Sequence, residues 1–190
     1  MAHYFSYFPE IQYAIDGIGG KIQIPVTDIT KRFRILQLLN DQESFYYDYH
    51  VKEGERPDQI AHKLYGDARL DWVVLLVNEI HDRYYEFPLS QNEFDEFIRK
   101  QYGSVSSAQG LTHHFEQITQ AQRTLSDGTI VPERRLIVDE TTFNSLPLSD
   151  RREVTAYEHE ERNNEAKRRI KLIDPRFIGQ IIRTAGRAYR

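Results

Sequence analysis

The sequence contains no cysteine, which excludes a disulfide framework, a thiolate metal site and a cysteine nucleophile. Tryptophan and methionine occur once each in 190 residues. The longest apolar run, WVVLLV at 72–77, is far below the ~20 residues that a membrane-spanning helix requires. The opening MAHYFSYFPEIQY has neither a basic segment nor an apolar one, so no signal peptide is expected. No Gly-x-Ser-x-Gly elbow, phosphate-binding loop or glycine-rich dinucleotide turn is present. The GIGG at 17–20 follows no strand-like run and opens no helix, which makes it a hinge.

Histidine is better represented, with seven copies. His113 and His114 are adjacent, so on a strand they would point to opposite faces and could not share an ion. His50, His62 and His81 have no ligand spacing with one another or with a carboxylate pair. Glu153, Glu158, Glu160 and Glu161 lie in a mixed-charge run that reads as a solvated face. The expectation is a protein with no catalytic residue, no metal and no cofactor.

Aromatics are abundant, with 12 Tyr and 10 Phe. Such residues build cores, and they also serve interfaces, where one end of a tyrosine stays wet. Charge is unevenly placed. From Lys167 to Arg190 there are eight basic side chains and one acid, Asp174, a net of +7; the whole chain is −4, so residues 1–166 sum to −11. A basic end on an acidic body suggests electrostatic docking. On a helical wheel Phe177, Ile178, Ile181, Ile182, Ala185 and Tyr189 share one side, with Arg176, Arg183, Arg187 and Arg190 on the other. That pattern suits a terminal helix packed on its own core, a helix for an acidic partner protein, or one for phosphate or lipid.

Along the chain, Tyr4, Phe5, Tyr7, Phe8 and Tyr13 form an aromatic arm ahead of the DGIGG hinge. Pro25 and a Thr27 or Asp28 cap precede a short helical pattern. FYYDYHV at 45–51 predicts a strand. Gly54 turns the chain, Pro57 suits the first position of a short helix, and Gly66 can end it. Asp67 can cap the next helix, which carries WVVLLV as its buried centre. Ser90 and Glu93 form a capping-box pattern for a helix ending at Gly103. SVSSAQGL at 104–111 predicts a polar linker. Strands follow, THHFEQI and RRLIV, with a hairpin through Asp127-Gly128. Residues 149–169 predict one solvated, charged helix, RIKLI at 169–173 a strand, and Asp174-Pro175 the start of a last helix.

The stretch YHVKEGERPDQIAHKLYG resembles the front half of a LysM module, a small βααβ unit best known for binding N-acetylglucosamine polymers. Tyr49, Val51, Lys52, Gly54, Ile60, Ala61, Tyr65 and Gly66 carry the match. LLVN at 75–78 corresponds to the second helix and its closing Asn78, with Trp72 at the head of the apolar run. Pro57 stands where Leu is usual, an extra residue precedes Tyr65-Gly66, and DRYYEFPLS replaces the usual Pro-Gly-Gln turn. These departures fall in the loops that form the sugar groove, and they argue against glycan binding.

More of the chain is similar to the LysM-bearing baseplate wedge protein of contractile-tailed phages, the wedge protein 53 family. The aromatic start, IPVTDI, YGDARLDWVVLLVN and NEAKRRIKLIDPRFIGQII occur in that family's order. The resemblance implies a structural subunit without catalysis, present in several copies per virion. It would be assembled in the host cytoplasm and would link wedge-core proteins and neighbouring wedges around the hub.

The expected fold class is therefore α+β: a LysM-like βαα(β) core, a strand-rich insertion, and extended N- and C-terminal arms. The segments are an arm and short helix at 1–44, the core at 45–103, the insertion at 104–148, and a charged helix, strand and basic helix at 149–190. The expected partner surface comprises Tyr4, Phe5, Tyr7, Phe8, Arg176, Arg183 and Arg187. Other baseplate wedge subunits and hub-proximal proteins are the expected partners, with no nucleic acid and no membrane. The alternative is a peptidoglycan-binding module that anchors a tail tip or an enzyme to the cell wall.

Overall fold

The structure, a computed structural model, describes residues 4–17, 19–30 and 45–188. The protein is α+β, and its chain forms two compact units: residues 1–88 with 167–190, and residues 89–166.

Early in the first unit, strands β1 (Glu10–Ala14) and β2 (Gln23–Thr27) pair antiparallel, with Glu10 opposite Thr27 and Ala14 opposite Gln23. The expected hinge at 16–20 is thus part of a hairpin connection. Gly17 and Gly19 take positive φ there, 102° and 83°, and the Asp16 carboxylate accepts from Lys21 N at 2.9 Å. Pro25 does not break β2. Ile15 N donates to Ile22 O and Asp28 N to Pro9 O, so the residue opposite Gln12 falls at a position that gives no ladder bond. The Asp28 carboxylate accepts from Thr30 N at 3.1 Å, as an N-cap would; the rest of the helix expected there, residues 31–44, lies outside the described residues.

The core of this unit is a strand, two helices and a closing strand. Strand β3 (Tyr46–His50) leads through Gly54, at φ 68°, into helix α1 (Pro57–Tyr65). Gly66 ends that helix in the left-handed region, φ 75°, with its N–H on His62 O at 3.0 Å. The Asp67 carboxylate then accepts from Arg69 N and caps a single 3-10 turn. Helix α2 (Asp71–Val77) follows and contains the WVVLLV run, with Trp72, Val73 and Val74 buried. The closing strand comes from far along the chain. β9 (Arg169–Ile173) pairs antiparallel with β3, placing Tyr46 opposite Ile173 and His50 opposite Arg169. A core confined to 45–103 is therefore corrected: its last strand follows the entire second unit, and the helix at 91–102 belongs to that second unit.

The two ends are not extended arms. Helix α7 (Pro175–Ala188) buries Ile181 and Ala185 in the first unit's core, with Phe177, Ile178 and Ile182 packed against it. Its apolar stripe continues a cluster formed by Val51, Ile60, Leu70, Val74 and Leu172. At the other end Phe8 is buried, and Tyr4 and Tyr7 lie against Trp72 with ring centroids 5.4 and 5.9 Å away. Phe8 at one end and Ile181 and Ala185 at the other thereby leave water, which favours packing both segments on the chain's own core.

In the second unit, helix α3 (Gln91–Tyr102) starts at a complete capping box between Ser90 and Glu93 and stops at Gly103. The segment expected as a polar linker is helix α4 (Val105–Gly110). Ser104 caps it by accepting from Ser107 N, and Ala108 is fully buried beside Phe94 and Ile98. A three-stranded antiparallel sheet follows, in the order β7–β4–β8, from β4 (Thr112–Gln120), β7 (Arg134–Val138) and β8 (Arg151–Thr155). Between β4 and β7 the two-residue strands β5 (Arg123–Thr124) and β6 (Ile130–Val131) make the expected hairpin, with Gly128 at φ 84°. Helix α5 (Glu140–Ser145) is capped by Asp139. The single charged helix expected over 149–169 is instead strand β8 followed by helix α6 (Ala156–Ala166). Val154 and Ala156 are buried, and pairing of β8 with β4 outweighs the helical charge pattern.

β4 carries a bulge. Thr112 pairs with Thr155 and His114 with Val154, so β4 advances two residues while β8 advances one. The extra residue is His113. A bulge rotates its side chain toward that of the next residue, and the expectation that His113 and His114 face opposite ways is corrected: their Nδ1 atoms are 2.8 Å apart.

Candidate assembly interface

The residues quoted for the LysM-like core come together in the first unit. Tyr49 donates to the Glu55 carboxylate at 2.8 Å and accepts from Lys63 Nζ at 3.2 Å. Val51, Ile60 and Ala61 are buried. Tyr65 donates to Ile173 O at 3.2 Å, and burial pushes its phenol well above the usual range. Asn78 joins the second helix to the closing strand. Its amide nitrogen donates to Val74 O and Lys171 O, each at 2.8 Å, and its oxygen accepts from Lys171 N at 2.8 Å. One side chain thus satisfies both backbone groups of Lys171 on the edge of β9 that faces away from β3.

The β1–β2 hairpin has two unlike faces. Ile11, Tyr13 and Ile15 recur at every second position and oppose Val26, Ile24 and Ile22. Side chains of directly opposed residues lie on the same face, so these six form one apolar sheet surface. Five of them are exposed, from Ile24 at 40% to Ile22 at 60%. Glu10, Gln12, Gln23 and Thr27 line the other face. A hairpin in water normally turns its apolar face to a core; here that face is open. The N-terminal residues expected at an interface, Tyr4, Phe5, Tyr7 and Phe8, divide: Phe8 is buried, Tyr4 and Tyr7 cover Trp72, and Phe5 remains 56% exposed.

Beside Phe5 runs an open groove of about 480 Å³ lined by Tyr4, Phe5, Arg69, Asp71, Trp72 and Leu75. On α7, Arg176 is engaged locally, its Nη2 donating to Asp174 at 2.7 Å while Asp174 accepts from Arg176 N at 2.9 Å. The Arg176 guanidinium holds the Asp174 carboxyl below its usual range. Arg183 and Arg187 are exposed on the side away from Ile181 and Ala185.

Sequence reasoning missed the hairpin face. The alternation of Ile11, Tyr13 and Ile15 on one side of the turn, and of Ile22, Ile24 and Val26 on the other, was the signal available. Glycines at 17, 19 and 20 between the two runs suit a hairpin as well as a hinge.

An exposed apolar sheet face together with an exposed cationic helix edge is what a component of a larger assembly presents. The chain matches the family described as Base plate wedge protein 53 over residues 3–127 and belongs to that family, the structural wedge proteins of a phage tail baseplate. It is similar to the baseplate wedge protein gp53 of Enterobacteria phage T4, with 28% identity over 110 residues, 57% of this chain and 56% of that protein. The chain thus spans about half the length of the curated relative it matches.

Proposed function

We propose that the chain joins neighbouring wedge subunits and hub-proximal proteins in the baseplate of a contractile tail, using the apolar face of the 10–27 hairpin as its main contact. The open face of Ile11, Tyr13, Ile15, Ile22 and Ile24 carries this reading. Fully burying one such side chain is worth about 1.5–3 kcal/mol, so a few of them suffice to hold a partner. Arg183 and Arg187 add a cationic edge suited to an acidic neighbour. The βααβ order of β3, α1, α2 and β9 supports a LysM-like origin for the core, put to structural use.

The test is a Tyr13→Asp/Ile24→Asp double variant in a phage complementation assay. The expected result is an unchanged melting midpoint with loss of incorporation into baseplates. Baseplates that take up the variant normally would overturn the reading. Saturable sedimentation of the wild-type protein with purified sacculi, in the presence of high salt, would support the peptidoglycan-binding alternative instead.

A further inference from the structure

The bulge in β4 and the helix after β8 bring three imidazoles together within the second unit. His113, His114 and His159 can each offer one ring nitrogen such that all three lie within 4.8 Å of one another. We propose that these three histidines bind a single divalent transition-metal ion of the zinc type, which staples helix α6 to strand β4.

The distances suit such an ion. A tetrahedral zinc with Zn–N bonds of about 2.0–2.1 Å places its ligand nitrogens roughly 3.3 Å apart. The Nδ1 atoms of His113 and His114 stand 2.8 Å apart, close to that separation before any adjustment. His159 comes from α6, its ring stacked on His113 with centroids 3.8 Å apart and planes 9° from parallel. His113 is exposed and the other two are half-buried, so an ion can enter from solvent and the outer ring can turn to meet it. Three imidazoles with one position left for water form a donor set for zinc, copper or nickel rather than for calcium or magnesium, which take oxygen.

The surroundings orient the rings. His114 Nε2 lies 3.4 Å from Glu116, two residues on and on the same face of β4. Glu116 is buried and accepts from Arg162 at 2.6 Å, with Arg135 at 3.5 Å. Two guanidinium groups facing one carboxyl favour its ionised form. A carboxylate there accepts the proton of Nε2 and leaves the His114 Nδ1 lone pair toward His113, the second-shell arrangement that metal-bound histidines use.

The experiment is calorimetric titration of the full chain, freed of metal by a chelator, with zinc chloride at pH 7.5. Cobalt(II) absorption serves as a second probe of coordination. The expected outcome is one zinc per chain, a visible tetrahedral cobalt band, and a melting midpoint that rises with zinc concentration. His113→Ala and His159→Ala should each lower affinity by at least ~10-fold, whereas His62→Ala, outside the second unit, should leave it unchanged. His113 is exposed, so its variant keeps the fold and decides the matter even if His159→Ala unfolds. No measurable binding, or binding that survives His113→Ala undiminished, would overturn the proposal.

Discussion

At the scale of single residues, Trp72 and Asp67 make opposite kinds of contribution. Trp72 heads the apolar run of α2 and is 7% exposed, with Tyr4 and Tyr7 against it. Its removal leaves a cavity that the two flanking tyrosines can only partly fill. Trp72→Ala should therefore cost about 3–5 kcal/mol, read as a lowered midpoint in denaturant unfolding; an unchanged midpoint would remove Trp72 from the core. Asp67 acts through charge. Hydrogen bonds from the Arg69 guanidinium and backbone hold its carboxyl at about 2, against about 3.9 in an unfolded chain. A depressed folded value means that the stabilisation is complete above pH ~4 and disappears as pH falls toward ~2. Asp67→Asn should accordingly flatten the acid-unfolding profile between those limits while leaving the slope at neutral pH alone. A variant profile that parallels wild type through that window would show that the contact carries no pH-dependent stability.

At the scale of elements, helix α7 is the clearest case of a pattern with two readings. Its sequence, apolar on one side and basic on the other, fits a helix for a partner as well as one for its own core. Tertiary packing settles the apolar side, because Ile181 and Ala185 are buried against the β3–α1–α2–β9 core. Deleting 174–190 should expose that core, so the 1–173 protein should aggregate or melt well below the full chain. A truncated protein that stays soluble and melts cooperatively at the same temperature would place the helix outside the core. The charged side is a separate matter, since Arg183 and Arg187 remain exposed whatever the helix packs on. Much of the element pattern was legible in the residues: Pro57 and Gly66 bound α1, Ser90 and Gly103 bound α3, and Asp127-Gly128 turns a hairpin. The helix at 105–110 was not, because serine and glycine are poor helix formers and only the burial of Ala108 against Phe94 and Ile98 makes it worthwhile. Strand β8 was hidden in the same way, its RREVT read as part of a charged helix until pairing with β4 gave it a partner.

At the scale of the whole molecule, the second unit is inserted between the second helix and the closing strand of the first. Its own ends are tied together. Asn164 is buried, its oxygen accepts from Leu89 N at 2.8 Å and its nitrogen donates to Leu89 O at 3.0 Å. In the first unit the returning chain is tied in turn by Lys167 Nζ donating to Tyr85 O at 2.6 Å. An insertion closed at its base and supplied with its own cluster around Phe94, Ile98 and Ala108 has the parts of a domain. Residues 89–166 expressed by themselves should fold, giving a cooperative thermal transition and dispersed amide resonances. Asn164→Ala should lower that midpoint, and a fragment without a cooperative transition would mean that the unit depends on the rest of the chain.

Local punctuation and the α+β class were legible in the residues alone, because caps, glycine turns and short-range periodicity are properties of neighbouring residues; the family was legible because the order of its characteristic blocks is written along the chain. Three things were decided only in the folded protein. Strand 169–173 closes a sheet with residues more than a hundred positions earlier, and RIKLI carries no mark of its partner. The hairpin at 10–27 keeps its apolar face open, which depends on what else the chain had available to cover it. The paired histidines of β4 share a side because β8 forces a bulge between them, and register between two strands is set by both, never by one.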